Sequence, residues 1–238
     1  MSRYLIVALA ITAVLTSLPA DTLYAQSDTA RTEDPLIWEE DINTLIQSTP
    51  SKPGDVLFMG SSSIRFWDTL ARDMVPLGTV KRGFGGAKLG DALYYADRLV
   101  AVDDPAAIVI FVGTNDITPG AAKAPQVLLQ SYRDLITKIR GSHAKTPIYY
   151  IAITPSILRW EVWPIAEKTN QLIQQFVETD ATLQFIDTGP SLMRDGQPNE
   201  DNYVRDGLHL SESGYGIWTE IIRSRLMEDL AKASPILK

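Results

Sequence analysis

Three short, uninterrupted apolar runs limit what this chain can fold into. They cover residues 55–59, 107–112 and 147–153, and weaker runs lie at 79–82 and 183–186. Strands that are buried on both faces have this composition, because helices cover both sides of a parallel sheet. Helical patterns separate the runs, and this alternation predicts an α/β domain with a mostly parallel, five-stranded sheet.

Apolar periodicity predicts one short amphipathic helix before the first strand and five helices between and after the strands. The predicted helices lie at about 36–46, 64–74, 88–101, 124–140, 161–179 and 212–231. Open α/β sheets place their ligands at the carboxyl ends of the strands. We therefore expect a functional site in the loops that follow the first three strands.

The N-terminus has the pattern of a cleaved secretory signal. One basic residue, Arg3, precedes an apolar run over residues 4–18, which is followed by the helix-breaking Pro19 and a small-residue site that ends at Ala25. We expect cleavage after Ala25. The alternative is an uncleaved anchor, although the apolar run is short for spanning a bilayer. Cleavage would divide the chain into a signal peptide at 1–25, a leader and N-terminal helix at 26–50, and one domain at 51–234.

Composition narrows the class of protein. The chain contains no cysteine, which excludes disulfides and thiolate metal sites. Export without disulfides predicts a bacterial periplasmic or secreted enzyme. The formal net charge of −7 argues against binding to nucleic acid or to an anionic membrane surface. A neutral small-molecule or glycan ester remains possible as the substrate. We expect no stable membrane insertion after signal cleavage. The sequence does not predict the oligomeric state.

Two histidines occur in the chain, and one of them ends the string Asp206-Gly207-Leu208-His209. A hydroxyl nucleophile at neutral pH needs a neighbouring base, and imidazole is the usual one. A carboxylate three residues upstream can hold the imidazole and stabilise its charged form. A surface His and a surface Asp are the alternative interpretation. The other histidine, His143, is predicted to be an exposed loop residue.

Serines follow the first predicted strand in the string Gly60-Ser61-Ser62-Ser63, directly before a predicted helix. The backbone N–H of a serine in such a turn lies near a helix N-terminus, where developing negative charge is stabilised. The serines could instead cap the helix, and Ser63 is then the expected cap.

Two further loops contain candidate donors to an oxyanion. Three of the four residues at 83–86 are glycine, which allows positive φ and a close approach of the backbone to a bound group. Asn115 follows the third predicted strand, and Gly113 gives its side-chain amide room. Each of these loops could equally be an ordinary turn. The glycine loop does not match a phosphate-binding motif.

Together these four segments resemble the SGNH (GDSL-type) hydrolase superfamily, which is named for a Ser, a Gly, an Asn and a His in four separate blocks. The resemblance implies that Ser62 is the nucleophile, His209 the general base and Asp206 its partner. It also implies an oxyanion hole formed by Ser62, Gly86 and Asn115. The implied fold is a flavodoxin-like three-layer α/β/α sandwich.

The first block departs from the usual Gly-Asp-Ser, because Ser61 stands where the family typically has Asp. It looks like the GSSS variant of lysophospholipase-like members. Ser61 and Ser63 therefore remain rivals of Ser62, and Gly85 remains a rival of Gly86. A conventional α/β-hydrolase is disfavoured, because Ile64 stands where the second glycine of GxSxG would be.

The implied function is a serine esterase that hydrolyses carboxylic esters through an acyl-enzyme, with no metal and no organic cofactor. We expect short-chain acyl or acetyl esters, because nothing in the sequence indicates a long apolar tunnel. Trp160 and Trp163 follow the fourth strand and could bind a sugar or line an acyl slot, or they could be packing residues. The alternatives in function are an O-acyltransferase to a sugar and a non-catalytic glycan-binding protein on the same fold.

Overall fold

The computed structural model describes residues 34–233. The predicted signal peptide at 1–25 and the leader up to residue 33 lie outside these residues. Between residues 34 and 233, no helix is both long enough and apolar enough to cross a membrane.

A sheet of five parallel strands forms the centre of the fold, in the order β2-β1-β3-β4-β5. The strands are β1 Val56–Gly60, β2 Thr79–Gly83, β3 Ala107–Phe111, β4 Ile148–Ile151 and β5 Leu183–Ile186. This order is the flavodoxin-like one, and it reverses direction between β1 and β3. The prediction of an α/β fold with a five-stranded parallel sheet is confirmed.

Helices cover both faces of the sheet. They are α1 Glu39–Ser48, α2 Ser62–Arg65, α3 Leu70–Asp73, α4 Leu89–Tyr94, α5 Ala96–Leu99, α6 Pro125–Arg140, α7 Trp163–Val177 and α8 Glu212–Ala233. Short 3-10 turns lie at Pro35–Trp38, Thr114–Asp116, Trp160–Val162, Pro190–Leu192 and Glu200–Asn202. A small antiparallel pair, β6 Met193–Arg194 and β7 Gln197–Pro198, lies outside the central sheet.

Two of the predicted helices are each divided in two. The helix expected at 64–74 is interrupted between α2 and α3, where the Asp73 carboxylate accepts hydrogen bonds from Trp67 Nε1, at 2.9 Å, and from the Thr69 hydroxyl. The helix expected at 88–101 is interrupted at Tyr95, whose hydroxyl donates to the Pro35 carbonyl at 3.0 Å. Side-chain bonds within the loop or to a distant segment therefore accompany both breaks, and helical periodicity does not report them.

Alternating side chains of each strand enter two separate cores, one on each face of the sheet. In β1, Leu57 and Met59 pack with α1, α4, α6 and α7, whereas Val56 and Phe58 pack with α2, α3 and α8. All four side chains are fully buried. Because both faces are covered, a strand with period-two geometry has a continuously apolar sequence.

An aromatic cluster holds α8 against β1 and β3 of the sheet. The ring of Trp67 stacks on that of Tyr215, with centroids 5.4 Å apart, and Trp218 packs edge-on to Trp67 and Phe111. Edge-to-face and offset aromatic pairs add stabilisation beyond area burial. The cluster fixes the start of α8, and the loop that contains His209 leads directly into this helix.

Candidate active site

The turn after β1 is possible only with glycine at position 60. Gly60 has a φ of +147°, and a Cβ at this position would overlap the Phe111 carbonyl on the neighbouring strand. Directly after it, Ser61 N–H donates to the Phe111 oxygen at 2.9 Å. The chain therefore turns sharply at the edge of the sheet, and α2 begins at Ser62.

The three serines in this turn have different positions. Ser61 occupies the N-cap of α2 without a side-chain capping bond, and Ser62 and Ser63 are already helical. The expectation that Ser63 caps the helix is therefore wrong. The Ser63 carbonyl instead accepts a hydrogen bond from the Tyr215 hydroxyl at 2.8 Å. Of the three side chains, that of Ser62 contacts an imidazole.

Ser62, His209 and Asp206 form a continuous hydrogen-bonded chain. The Ser62 Oγ and His209 Nε2 atoms are 2.8 Å apart, and His209 Nδ1 lies 2.6 Å from Asp206 Oδ2. The histidine and aspartate side chains are each 16% exposed, so water reaches them only in part. Proximity of this kind allows the imidazole to take a proton from the hydroxyl.

The Asp206 carboxylate is stabilised in its ionised form. Burial raises its pKa, but hydrogen bonds outweigh burial, and the pKa lies below its ordinary value. The donors are the imidazole of His209 and the backbone N–H groups of Leu208 and His209, which reach Asp206 Oδ1 at 2.8 and 3.0 Å. An ionised Asp206 favours the tautomer in which Nδ1 holds the proton and Nε2 faces Ser62 with its lone pair.

Backbone contacts around the loop of His209 set this geometry. Gly207 has a φ of +67°, and its N–H donates to the Val204 carbonyl at 2.9 Å. Val204 N–H in turn donates to the His209 carbonyl at 2.9 Å. The Ser211 hydroxyl accepts a hydrogen bond from Gly214 N–H at 3.3 Å, and Ser211 therefore caps the start of α8.

The glycine-rich loop after β2 passes close to α2. Gly86 has a φ of +69°, a conformation that favours glycine. At Gly85 a Cβ would come within 2.9 Å of the Arg65 guanidinium. Within residues 34–233, the N–H groups of Ser62 and Gly86 donate to no other group. These two donors are therefore available to a bound molecule.

Asn115 lies in the 3-10 turn that follows β3 and connects it to the glycine-rich loop. Gly113 precedes the turn with a φ of +123°, and the Asn115 side-chain amide donates to the Ala87 carbonyl at 3.0 Å. Asn115 is 7% exposed. One of its two amide hydrogens is thus used within the protein.

Asp116 makes the second connection between these loops, and the sequence did not single it out. Its Oδ2 atom accepts from Leu89 N–H at 2.9 Å, and its Oδ1 atom lies 3.2 Å from Lys123 Nζ. Burial raises the pKa of Asp116 above its ordinary value, and the Leu89 N–H and Lys123 oppose the shift without cancelling it. A signal did exist, since Asp116 directly follows Asn115 at a strand end.

The remaining candidates from the sequence are His143, Trp160 and Trp163. His143 is half-buried rather than exposed, which corrects the sequence prediction, because its Nε2 atom lies 2.7 Å from the Val100 carbonyl. It precedes β4, at the amino end of the strands, whereas Ser62 lies at their carboxyl ends. Trp160 and Trp163 stack on one another, with centroids 6.1 Å apart, and Trp163 packs on the core.

The fold and the contacts define a class of protein: a flavodoxin-like α/β sandwich with a Ser–His–Asp chain at the carboxyl edge of its sheet. Comparison of the sequence with known families identifies the particular one. The GDSL-like Lipase/Acylhydrolase family matches residues 52–217, and the chain belongs to this family. The predicted resemblance to SGNH hydrolases is confirmed, whereas the lysophospholipase-like subtype stays a prediction.

Solved structures share this fold at low sequence identity. A candidate platelet activating factor from Streptococcus pneumonia is 21% identical with a TM-score of 0.70, over 88% of this chain and 100% of the other. A candidate acylhydrolase from Bacteroides fragilis is 21% identical with a TM-score of 0.66, over 84% of this chain and 99% of the other. A GDSL-like lipase from Bacteroides thetaiotaomicron is 18% identical with a TM-score of 0.62, over 83% of this chain and 98% of the other. No curated protein gives a significant match.

Proposed function

We propose that this protein is a serine esterase that hydrolyses carboxylic esters through an acyl-enzyme. The observation that carries the proposal is the unbroken chain from Ser62 Oγ through the imidazole of His209 to the carboxylate of Asp206, with separations of 2.8 and 2.6 Å. A hydroxyl in contact with an oriented imidazole is an activated nucleophile. Membership of an acylhydrolase family supports an ester as the substrate.

In the first step, Ser62 Oγ attacks the ester carbonyl carbon and His209 Nε2 accepts the hydroxyl proton. Asp206 keeps the imidazole in the required tautomer and stabilises the imidazolium that forms. His209 then gives the proton to the alcohol oxygen as the bond to the acyl carbon breaks. A water molecule repeats the sequence on the acyl-enzyme, which releases the acid and restores Ser62.

The negative charge of the tetrahedral intermediate needs donors, and three are available. They are the N–H groups of Ser62 and Gly86 and the second amide hydrogen of Asn115. Donors that are fixed before the reaction stabilise an oxyanion without reorganisation, and the loss of one costs about 3 kcal/mol in barrier. The bonds from Asn115 to Ala87 and from Asp116 to Leu89 support these donors from behind.

A short acyl group suits this site better than a long one. Behind the proposed donors, Ala87 is fully buried and Asn115 nearly so. A Cβ added at Gly113 would come within 3.0 Å of Ile153, so the backbone there is closely packed as well. We therefore propose acetyl or other short-chain esters as substrates. Rates over 4-nitrophenyl esters from two to sixteen carbons test this, and a long-chain optimum would reverse the assignment.

Covalent labelling tests the nucleophile. A fluorophosphonate probe should modify Ser62, as located by mass spectrometry, and Ser62→Ala should abolish both labelling and hydrolysis of 4-nitrophenyl acetate. Ser61→Ala and Ser63→Ala are matched controls from the same turn, and both should retain labelling. Modification of Ser61 or Ser63 in the wild type would overturn the assignment.

The same assays address the two other functions considered from the sequence. A wild type that turns over no ester would favour a non-catalytic glycan-binding protein. Analysis of the products with a sugar acceptor present separates hydrolysis from O-acyl transfer, since free acid is the product in the first case and an acylated sugar in the second.

We also propose that the enzyme acts after export from a bacterial cell. The support is the sequence pattern up to Ala25, which lies outside the described residues. N-terminal sequencing of protein recovered from the periplasm or the medium should begin at Gln26. An intact N-terminus in the membrane fraction would instead indicate a retained anchor.

A further inference from the structure

Four large apolar side chains are exposed around His209. They belong to three segments that are far apart in sequence, and we call them the apolar rim: Phe66, Ile157, Leu158 and Val204, which are 37%, 42%, 38% and 45% exposed. Single exposed apolar residues are normal on a protein surface, but several gathered at one place indicate a binding surface.

Phe66 lies against the imidazole of His209. Its ring packs edge-on to the imidazole of His209, with centroids 4.9 Å apart and planes at 79°. Its N–H donates to the Ser62 carbonyl at 2.8 Å, so Phe66 lies one helical turn beyond the serine. An aromatic ring in this position can contact a group bound to either residue.

Ile157 and Leu158 reach the same place from the loop after β4. Leu158 N–H donates to the Gly207 carbonyl at 2.9 Å, and the Ile157 Cβ lies 3.1 Å from the position that a Cβ at Gly207 would occupy. Val204 is bonded to His209 through its backbone N–H, at 2.9 Å. The rim therefore borders the loop that holds the general base.

The position of the rim shows which part of an ester it would contact. His209 Nε2 must lie within hydrogen-bond reach of the alcohol oxygen, because it protonates that oxygen as the alcohol leaves. The alcohol therefore lies against the imidazole. The proposed oxyanion donors come from Ser62, Gly86 and Asn115, and the last two belong to loops other than those of the rim. Side chains that surround His209 thus face the alcohol of the ester.

We propose that the apolar rim is a binding subsite for the alcohol, and that the substrates are esters of apolar alkyl or aryl alcohols with a short acyl group. This inference rests on the proposed esterase function and names its substrate class. Burial of apolar surface gives the affinity, and a contact of one CH₂ group with an apolar site changes selectivity several-fold.

A series of acetate esters with a constant acyl group tests the proposal. We expect kcat/KM to rise at least tenfold from methyl acetate to hexyl acetate. Phe66→Ala and Leu158→Ala should each remove most of this preference, so that kcat/KM for hexyl acetate falls at least fivefold more than kcat/KM for methyl acetate. Val127→Ala is the matched control, since Val127 is 51% exposed on α6 and should leave both rates unchanged.

Two outcomes would overturn the subsite. One is an equal rate for methyl and hexyl acetate in the wild type. The other is an equal loss for both esters in Phe66→Ala and Leu158→Ala, which would make these residues supports for His209 and not contacts for the alcohol. If Phe66→Ala does not fold, as judged by circular dichroism, Leu158→Ala alone decides.

Failure of the esterase function itself gives a different result. In that case the wild type hydrolyses no acetate ester, or Ser62→Ala hydrolyses them as fast as the wild type. Hydrolysis that depends on Ser62 and ignores the length of the alcohol leaves the esterase function in place and removes the subsite alone.

Discussion

Asn115 donates one side-chain N–H to the Ala87 carbonyl, at 3.0 Å, and so joins the loop after β3 to the loop after β2. A primary amide has two such hydrogens. The hydrogen that bonds to Ala87 fixes the orientation of the Asn115 side chain and holds the loop that contains Gly86. The second is then presented in a set direction, which a proposed oxyanion donor requires.

Asn115→Ala should lower kcat by about a hundredfold or more and change KM little, because the lost bond is strongest in the transition state. The loss should exceed that of a single donor, since Gly86 also loses its support. Steady-state kinetics with 4-nitrophenyl acetate measure this. Asn43→Ala is the control, because Asn43 is an exposed residue of α1. An Asn115→Ala enzyme within a few-fold of the wild type would remove this residue from the site.

Gly60→Ala should strongly lower the free energy of unfolding. The new Cβ would overlap the Phe111 carbonyl, and φ is +147° at this position. Gly120→Ala is the matched control, because Gly120 has a φ of +78° and no atom within 4 Å of an added Cβ. In the control, the alanine meets only the cost of a left-handed backbone conformation, about 1–2 kcal/mol. Urea denaturation should therefore show a loss of unfolding free energy that is several times larger for Gly60→Ala than for Gly120→Ala. Equal losses in the two variants would contradict the steric argument.

The sequence predicts the sheet and the site residues for a physical reason. Strands buried on both faces have uninterrupted apolar runs, and parallel strands bring their carboxyl ends to one edge. Gly60, Gly86 and Asn115 follow such runs, so their proximity can be inferred without coordinates. Asp206 and His209 are three residues apart, so their contact is local.

Contacts between distant segments could not be predicted in this way. Phe66 and Ile157 have no common pattern in the sequence, yet both border the loop of His209. The helix is divided at Tyr95, and the Tyr95 hydroxyl bonds to Pro35, which is sixty positions away. Periodicity reports which face of an element is apolar, and it contains no information on which side chains meet across the fold.

Asp206→Asn should lower kcat by about three to four orders of magnitude while the fold is retained. The asparagine amide would donate to His209 Nδ1, which puts the proton on Nε2 and leaves no lone pair for Ser62. Asp201→Asn, in the same part of the chain and with its carboxylate 70% exposed, is the control and should keep wild-type kinetics. Activity of Asp206→Asn within tenfold of the wild type would show that the carboxylate does not set the tautomer.

Asp206 also makes stability depend on pH. Its folded pKa is depressed below the ordinary value of 3.8, so its contribution is present above that value and is lost as the pH falls through the folded pKa. The advantage of the wild type over Asp206→Asn in unfolding free energy should therefore be smaller at pH 3 than at pH 5. Urea denaturation at the two pH values measures this difference in unfolding free energy. A difference that grows towards pH 3 would contradict a lowered pKa for Asp206.

Asp116 should show the opposite dependence, because burial raises its folded pKa above the ordinary value of 3.8. Such a group stabilises the fold at low pH, and this stability is lost as the pH rises through the folded pKa. Asp116→Asn keeps an acceptor for Leu89 N–H and does not titrate. The unfolding free energy of the wild type relative to Asp116→Asn should therefore decrease from pH 4.5 to pH 7.5. An increase would mean that the ion pair with Lys123 outweighs burial.

Asp116→Ala separates the role of this carboxylate in stability from its role in the site. It leaves the Leu89 N–H without its acceptor, which costs about 1–3 kcal/mol for a buried donor. The glycine-rich loop would then lose one of its two ties to the loop after β3. We expect kcat to fall about tenfold in Asp116→Ala and to stay within about threefold in Asp116→Asn. Asp134→Asn, exposed on α6, controls for the change in charge. Equal kcat values in the two Asp116 variants would show that the bond to Leu89 does not position the proposed oxyanion donors.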